Sequence, residues 1–110
     1  MNFQVHYTNQ MKHDLKQVLG YIKSSLKNPQ AANNLLNETE HILASLAQMP
    51  ERYALADDDL LAAWGVRLVR VKNYLAFYIV NRETQTVQVI RFLYGKSDWR
   101  TILREENDSR

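Results

Sequence analysis

Residues 66–94 read VRLVRVKNYLAFYIVNRETQTVQVIRFLY, and this stretch decides the fold. It is rich in Val, Ile, Tyr and Phe, gathered into three runs at 66–72, 74–81 and 86–94. β-Branched and aromatic residues suit a pleated surface, so each run predicts a strand. The breaks between them, Lys72-Asn73 and Asn81-Arg82-Glu83-Thr84-Gln85, are short enough for antiparallel hairpins. Three strands joined in this way form a meander.

Upstream of the meander the apolar period is that of helices. Phe3, Val5 and Tyr7 alternate with polar residues and predict a short first strand. Thr8 then offers an N-cap, and Met11, Leu15, Val18, Leu19, Ile22 and Leu26 recur at helical spacing, which predicts a helix over residues 9–27. Asn28-Pro29 restarts the chain, because Asn caps well and Pro is tolerated at the first helical position. Leu35, Leu36, Thr39, Ile42, Leu43 and Leu46 carry the second stripe up to Pro50. Residues 51–65 are the least regular, although Asp57-Asp58-Asp59 before Leu60-Leu61-Ala62-Ala63 marks the acidic start of a short helical turn. Downstream, Gly95 ends the meander. Ser97 or Asp98 caps a last short helix with Trp99, Ile102 and Leu103 on its apolar side, and residues 105–110 are expected to form a flexible tail.

The order β-α-α-β-β-β-α predicts an α+β fold, with a helical hairpin packed on one face of a small, mainly antiparallel sheet and the other face partly open. With 110 residues, 45% of them hydrophobic, the chain is expected to form a single domain over residues 1–110.

Charge is unevenly spread. Eight of the 14 Lys and Arg residues fall within residues 66–104, which carry only Glu83 and Asp98 as acids, so that segment stands at +6 and the remainder at −4. Such asymmetry points to a polyanion or an acidic partner. Cations and aromatics share the same short runs, the mixture that holds a phosphate backbone and stacks a base. The alternative is a solvated strand face with structural tyrosines. The candidates for phosphate or partner contacts are Arg67, Arg70, Lys72, Arg91, Lys96 and Arg100, with Tyr74, Tyr78, Tyr94 and Trp99 as the aromatics among them.

Several chemistries have no material here. The chain has no Cys, and His6, His13 and His41 lie far apart without ligand spacing, so neither thiolate chemistry nor a metal is expected. No cofactor is implied. No apolar run approaches the ~20 residues of a membrane span, and the N-terminus lacks a signal pattern, so the expected location is cytoplasmic.

The element order, Met49-Pro50-Glu51-Arg52 after the second helix, the run from Arg67 to Tyr74, the Phe77-Tyr78 pair and the ending Tyr94-Gly95-Lys96-Ser97-Asp98-Trp99 together resemble the RelE/ParE superfamily of bacterial toxins from type II toxin-antitoxin systems. The likeness covers nearly the whole chain. It implies a growth-inhibiting toxin held inactive by a cognate antitoxin protein. Its first implied activity is ribosome-dependent mRNA cleavage, with the ribosome and mRNA as partners. The 2′-hydroxyl would attack the adjacent phosphate while the protein orients the nucleotide, stabilises charge and moves protons. Arg67, Arg70, Arg91, Lys96 and Tyr94 are the implied catalytic set. Its second implied activity is ParE-like inhibition of DNA gyrase without bond chemistry, and its third is a non-toxic relative that only binds an antitoxin. Two residues depart from the RelE pattern: Leu75 stands where RelE-like toxins often carry Arg, and the C-terminal aromatic is Trp99, which has no ionisable group.

Overall fold

The structure is a computed structural model that describes residues 2–108. It has the expected α+β architecture. The elements are β1 (Gln4–Tyr7), α1 (Asn9–Gly20), a π-helical turn (Tyr21–Ser25), α2 (Pro29–Ala44), a 3-10 turn (Ser45–Ala47), α3 (Asp59–Ala63), β2 (Val66–Val71), β3 (Tyr74–Asn81), β4 (Thr86–Tyr94) and α4 (Trp99–Asp108). The strands lie in the order β1-β4-β3-β2, with β1 parallel to β4 and the other pairings antiparallel.

Local chemistry sets the boundaries. Thr8 Oγ1 accepts from Met11 N at 3.0 Å and starts α1, while Asn28 Oδ1 accepts from Ala31 N at 3.1 Å with Pro29 at the first position of α2. Asp58 caps α3 by accepting from Leu61 N at 3.0 Å, so the acidic triplet is a helix start. The first helix widens into a π turn from Tyr21, and Lys27 takes a left-handed φ of 51° before the chain turns into α2. The last helix continues through Asp108, so residues 105–108, assigned to the tail by sequence, are helical. Ser109 and Arg110 lie outside the described residues.

Two cores flank the sheet. Met11, Ile22, Leu35, Leu43 and Leu46 of the helical hairpin pack on Val69, Val71, Ala76, Tyr78, Val87, Val89 and Phe92. On the opposite face, α3 and α4 bring Leu61, Trp99 and Leu103 onto Val66, Leu75 and Phe77, with Trp64 packed beside them. That face, expected to be partly open and cationic, is an apolar core with a helical roof. A bulge sets the phase of β4: Phe77 pairs with Arg91 but Tyr78 with Val89, leaving Ile90 as the extra residue. Beyond it, Phe92 turns onto the hairpin core and Leu93 onto the α4 core.

Candidate functional site

The sheet brings a group of cations and tyrosines together at one end. The two-residue loop Lys72-Asn73 joins β2 to β3, Tyr74 pairs with Tyr94 across to β4, and Gly95 N donates to Asn73 O at 2.8 Å. Arg70, Lys72, Tyr74, Tyr94 and Lys96 therefore converge on the hairpin end of the sheet. Lys72 holds a φ of 53°, a left-handed conformation unusual for a residue with a side chain. Its ammonium lies 3.3 Å from Glu38 of α2. Arg70 is exposed and donates from Nη1 to Lys72 O at 3.3 Å. Among the described residues no carboxylate pairs with Arg70 or Lys96.

The aromatics at this end form a small platform. Tyr74 stacks on Phe92 with ring centroids 5.4 Å apart, and Tyr94 meets its edge at 5.8 Å. Tyr94 is 46% exposed, and Tyr21 and Leu26 from the end of the first helix are each 56% exposed. Behind them a groove of about 220 Å³ runs between Leu26, Asn28 and Ala31 on one side and Lys72, Asn73 and Tyr74 on the other. Burial, then the neighbouring Tyr94 and Tyr21, push the Tyr74 phenol above its ordinary pKa. It is a hydrogen-bond donor at neutral pH and a poor base.

Other sequence candidates lie elsewhere or are already engaged. Arg91 is the most fully engaged of them. It donates from Nε to Asp14 Oδ2 at 2.7 Å, from Nη2 to Asp14 Oδ1 at 3.0 Å and from Nη1 to Glu106 Oε2 at 2.5 Å, with its side chain 12% exposed. It lies two residues past the last pairing of β1 with β4, where Asp14 of α1 and Glu106 of α4 meet it. Tyr78 is wholly buried in the hairpin core, out of reach of a base or a phosphate, and its hydroxyl has no hydrogen-bond partner of good geometry among the described residues. Trp99 is buried against Phe77 with centroids 5.2 Å apart, so it is a core residue. Arg100 lies over its ring at 4.2 Å and donates to Asp57 O. Arg67, toward the far end of β2, donates to Tyr53 O at 2.7 Å and lies 3.7 Å from Glu51, which also pairs with Arg82.

The positive surface is therefore distributed differently from the sequence count. Most cations of residues 66–104 have carboxylate partners, whereas Lys12, Lys16 and Lys23 on the first helical segment and Lys27 in the turn after it have none among the described residues. Three of these lysines rim a groove of about 440 Å³ whose floor includes Leu15, Leu19 and Leu36. Sequence reasoning missed these lysines, and it missed Asp14, Glu38, Tyr21 and Leu26. Asp14 did leave a signal: three residues after Met11, it places a carboxylate within the apolar stripe, where an acid is rarely found without a partner. No cluster of metal-ligating side chains occurs among the described residues.

Residues 5–99 match the sequence profile of the ParE toxin of type II toxin-antitoxin system, parDE. No curated protein matches the chain. Among solved structures, the chromosomal ParDE toxin-antitoxin system from P. aeruginosa aligns with a TM-score of 0.67 at 17% identity, over 84% of this chain and 95% of that one. A RelBE toxin-antitoxin complex from Mycobacterium tuberculosis aligns at 0.59 with 19% identity, over 86% and 99%. The archaeal RelE-RelB complex from Pyrococcus horikoshii aligns at 0.51 with 16% identity, over 87% and 98%. At such identities the likeness to solved structures concerns the fold.

Proposed function

We propose a function from one premise: the chain belongs to the ParE toxin family of type II toxin-antitoxin systems. On our reading it arrests growth by binding DNA gyrase through the hairpin end of its sheet, without making or breaking a covalent bond, and a cognate antitoxin holds it inactive. One observation carries this choice over mRNA cleavage. Part of the set that would run phosphoryl chemistry is engaged elsewhere: Arg91 is held by Asp14 and Glu106, Arg67 by the Tyr53 carbonyl and Glu51, Tyr78 is buried, and Leu75 is buried where an arginine would serve. What remains at the hairpin end is Arg70, Lys96, Tyr94, Tyr21 and Leu26, a set suited to recognition. The antitoxin partner is supported by the relatives of the same fold, which are themselves toxin-antitoxin systems and complexes.

Ribosome-dependent mRNA cleavage is the second reading, favoured by the open cations Arg70 and Lys96 at the same end of the sheet as the exposed Tyr94. Induced expression in bacteria without antitoxin separates the two. Gyrase inhibition predicts filamentation, loss of negative supercoiling and DNA breaks while translation continues. In-frame mRNA cleavage as the first event would replace it with the nuclease reading, and normal growth at high expression would leave a relative that only binds an antitoxin.

A further inference from the structure

We propose that Gly95 is a positioning residue: the space left by its missing side chain is where the Arg70 guanidinium rests, and this rest aims Arg70, beside Lys96, at a carboxylate of the bound target. The inference rests on the reading of the hairpin end as the target-binding surface. A Cβ built on Gly95 would lie 3.3 Å from Arg70 Nη1, 3.7 Å from Nη2 and 3.1 Å from Asn73 O. Nη1 therefore crowds the position that any other residue would fill, with Nη2 at ordinary contact distance and the Asn73 carbonyl closing the other side. Gly95 shows no positive φ, so backbone freedom does not explain the glycine here.

The contacts of Arg70 leave most of its fork open. Arginine carries five N–H donors in a fixed plane, and here only Nη1 is used, in a long bond of 3.3 Å to Lys72 O. An exposed arginine on a strand normally samples many rotamers. Resting on Gly95 and tethered to the Lys72 carbonyl, this one has fewer to lose when it binds. The open donors suit a carboxylate taken bidentately, a geometry that a lysine in the same place cannot supply.

The test uses the purified full chain against gyrase-catalysed supercoiling, with Gly95→Ala, Arg70→Ala, Arg70→Lys and the Gly95→Ala/Arg70→Ala double variant. Gly95→Ala is expected to lose potency about tenfold, the scale of one charged hydrogen bond, while its melting temperature stays near that of the parent. Because both changes act on the same side chain, the double variant is expected to be no weaker than Arg70→Ala alone. Losses that multiply independently would overturn the proposal. So would full potency in Gly95→Ala when Arg70→Ala has lost it, and in that case the surface assignment stands and only the positioning role falls. Full potency in Arg70→Ala removes both. Should Gly95→Ala melt early through its contact with Asn73 O, Arg70→Lys carries the test: it leaves the turn intact, keeps the charge and removes the fork. It is expected to lose as much as Arg70→Ala, and full potency there would sink the idea.

Discussion

The Asp14 carboxylate grips Arg91 with both oxygens and, through Oδ2, also accepts the Phe92 backbone N–H at 3.1 Å. One side chain of α1 thus completes the ladder of β4 where β1 has ended, and Thr8 adds a bond from its hydroxyl to Ile90 O at 2.9 Å. With side-chain exposures of 12% and 8%, Arg91 is largely covered and Asp14 buried, and the hydrogen bonds to Asp14 hold the guanidinium above its ordinary pKa.

Removing Arg91 alone should therefore unsettle the fold. Arg91→Ala leaves the Asp14 carboxylate buried without its partner, a defect that typically costs about 3–5 kcal/mol. The expected outcome in thermal melts is a drop of more than ~10 °C, with toxicity lost only in proportion to unfolding. A variant that melts with the parent yet is inactive would return Arg91 to the working surface.

Tyr78 offers the opposite case. Its buried hydroxyl lacks a well-formed hydrogen bond, and such a group costs about 1–3 kcal/mol, so Tyr78→Phe should match or exceed the parent in stability and retain full toxicity. Burial raises its phenol pKa, against lowering by the Tyr53 backbone and the Arg67 charge. A raised pKa means that the unfolded chain ionises first. The contribution to stability is complete below about pH 10 and is lost as pH rises through the folded value. Melts between neutral and strongly alkaline pH should fall more steeply for the parent than for Tyr78→Phe; parallel curves would show that the phenol does not titrate this way.

The parts of this fold that were legible in sequence are local. Thr8, Asn28-Pro29 and Asp58 cap helices through contacts three residues away, so their roles can be read from neighbours. Which face of the sheet each cation occupies was not legible. The bulge at Ile90 shifts the alternation of β4 by one, and Arg91 finds Asp14 across 77 positions of chain, a pairing that no local pattern encodes. Counting charge over residues 66–104 placed a positive field on the strands, yet Glu51, Asp57, Asp58, Glu38, Asp14 and Glu106 come from outside that segment to meet it.

Lys72 carries a backbone cost that function accounts for better than stability does. A lysine at a φ of 53° is strained by roughly 1–2 kcal/mol, and its half-exposed pair with Glu38 returns at most about 1 kcal/mol. Asn tolerates the left-handed region, so Lys72→Asn should melt at or slightly above the parent while binding its target more weakly. Loss of stability with full potency would show that Lys72 serves the hairpin alone.

The unpaired lysines of the first helical segment predict how a partner arrives. Lys12, Lys16 and Lys23 rim the groove floored by Leu15, Leu19 and Leu36, so an approaching segment meets uncompensated positive charge there, while Arg82 and Arg104 are already matched by Glu51 and Asp58. Unpaired charge steers encounter, and apolar burial then holds the complex. Reversal at two sites, Lys16→Glu with Lys23→Glu, should slow antitoxin association about tenfold at low salt. Neutralising Arg82 and Arg104 should change it little. Raising ionic strength from 0.1 M to 1 M shortens the screening length from ~10 Å to ~3 Å, so the gap between the two double variants should close, with dissociation rates nearly unchanged throughout. Slowing by the Arg82 and Arg104 variant in proportion to its smaller loss of charge, two charges against four, would mean that net charge steers the encounter, and salt-independent association would mean that charge does not steer it at all.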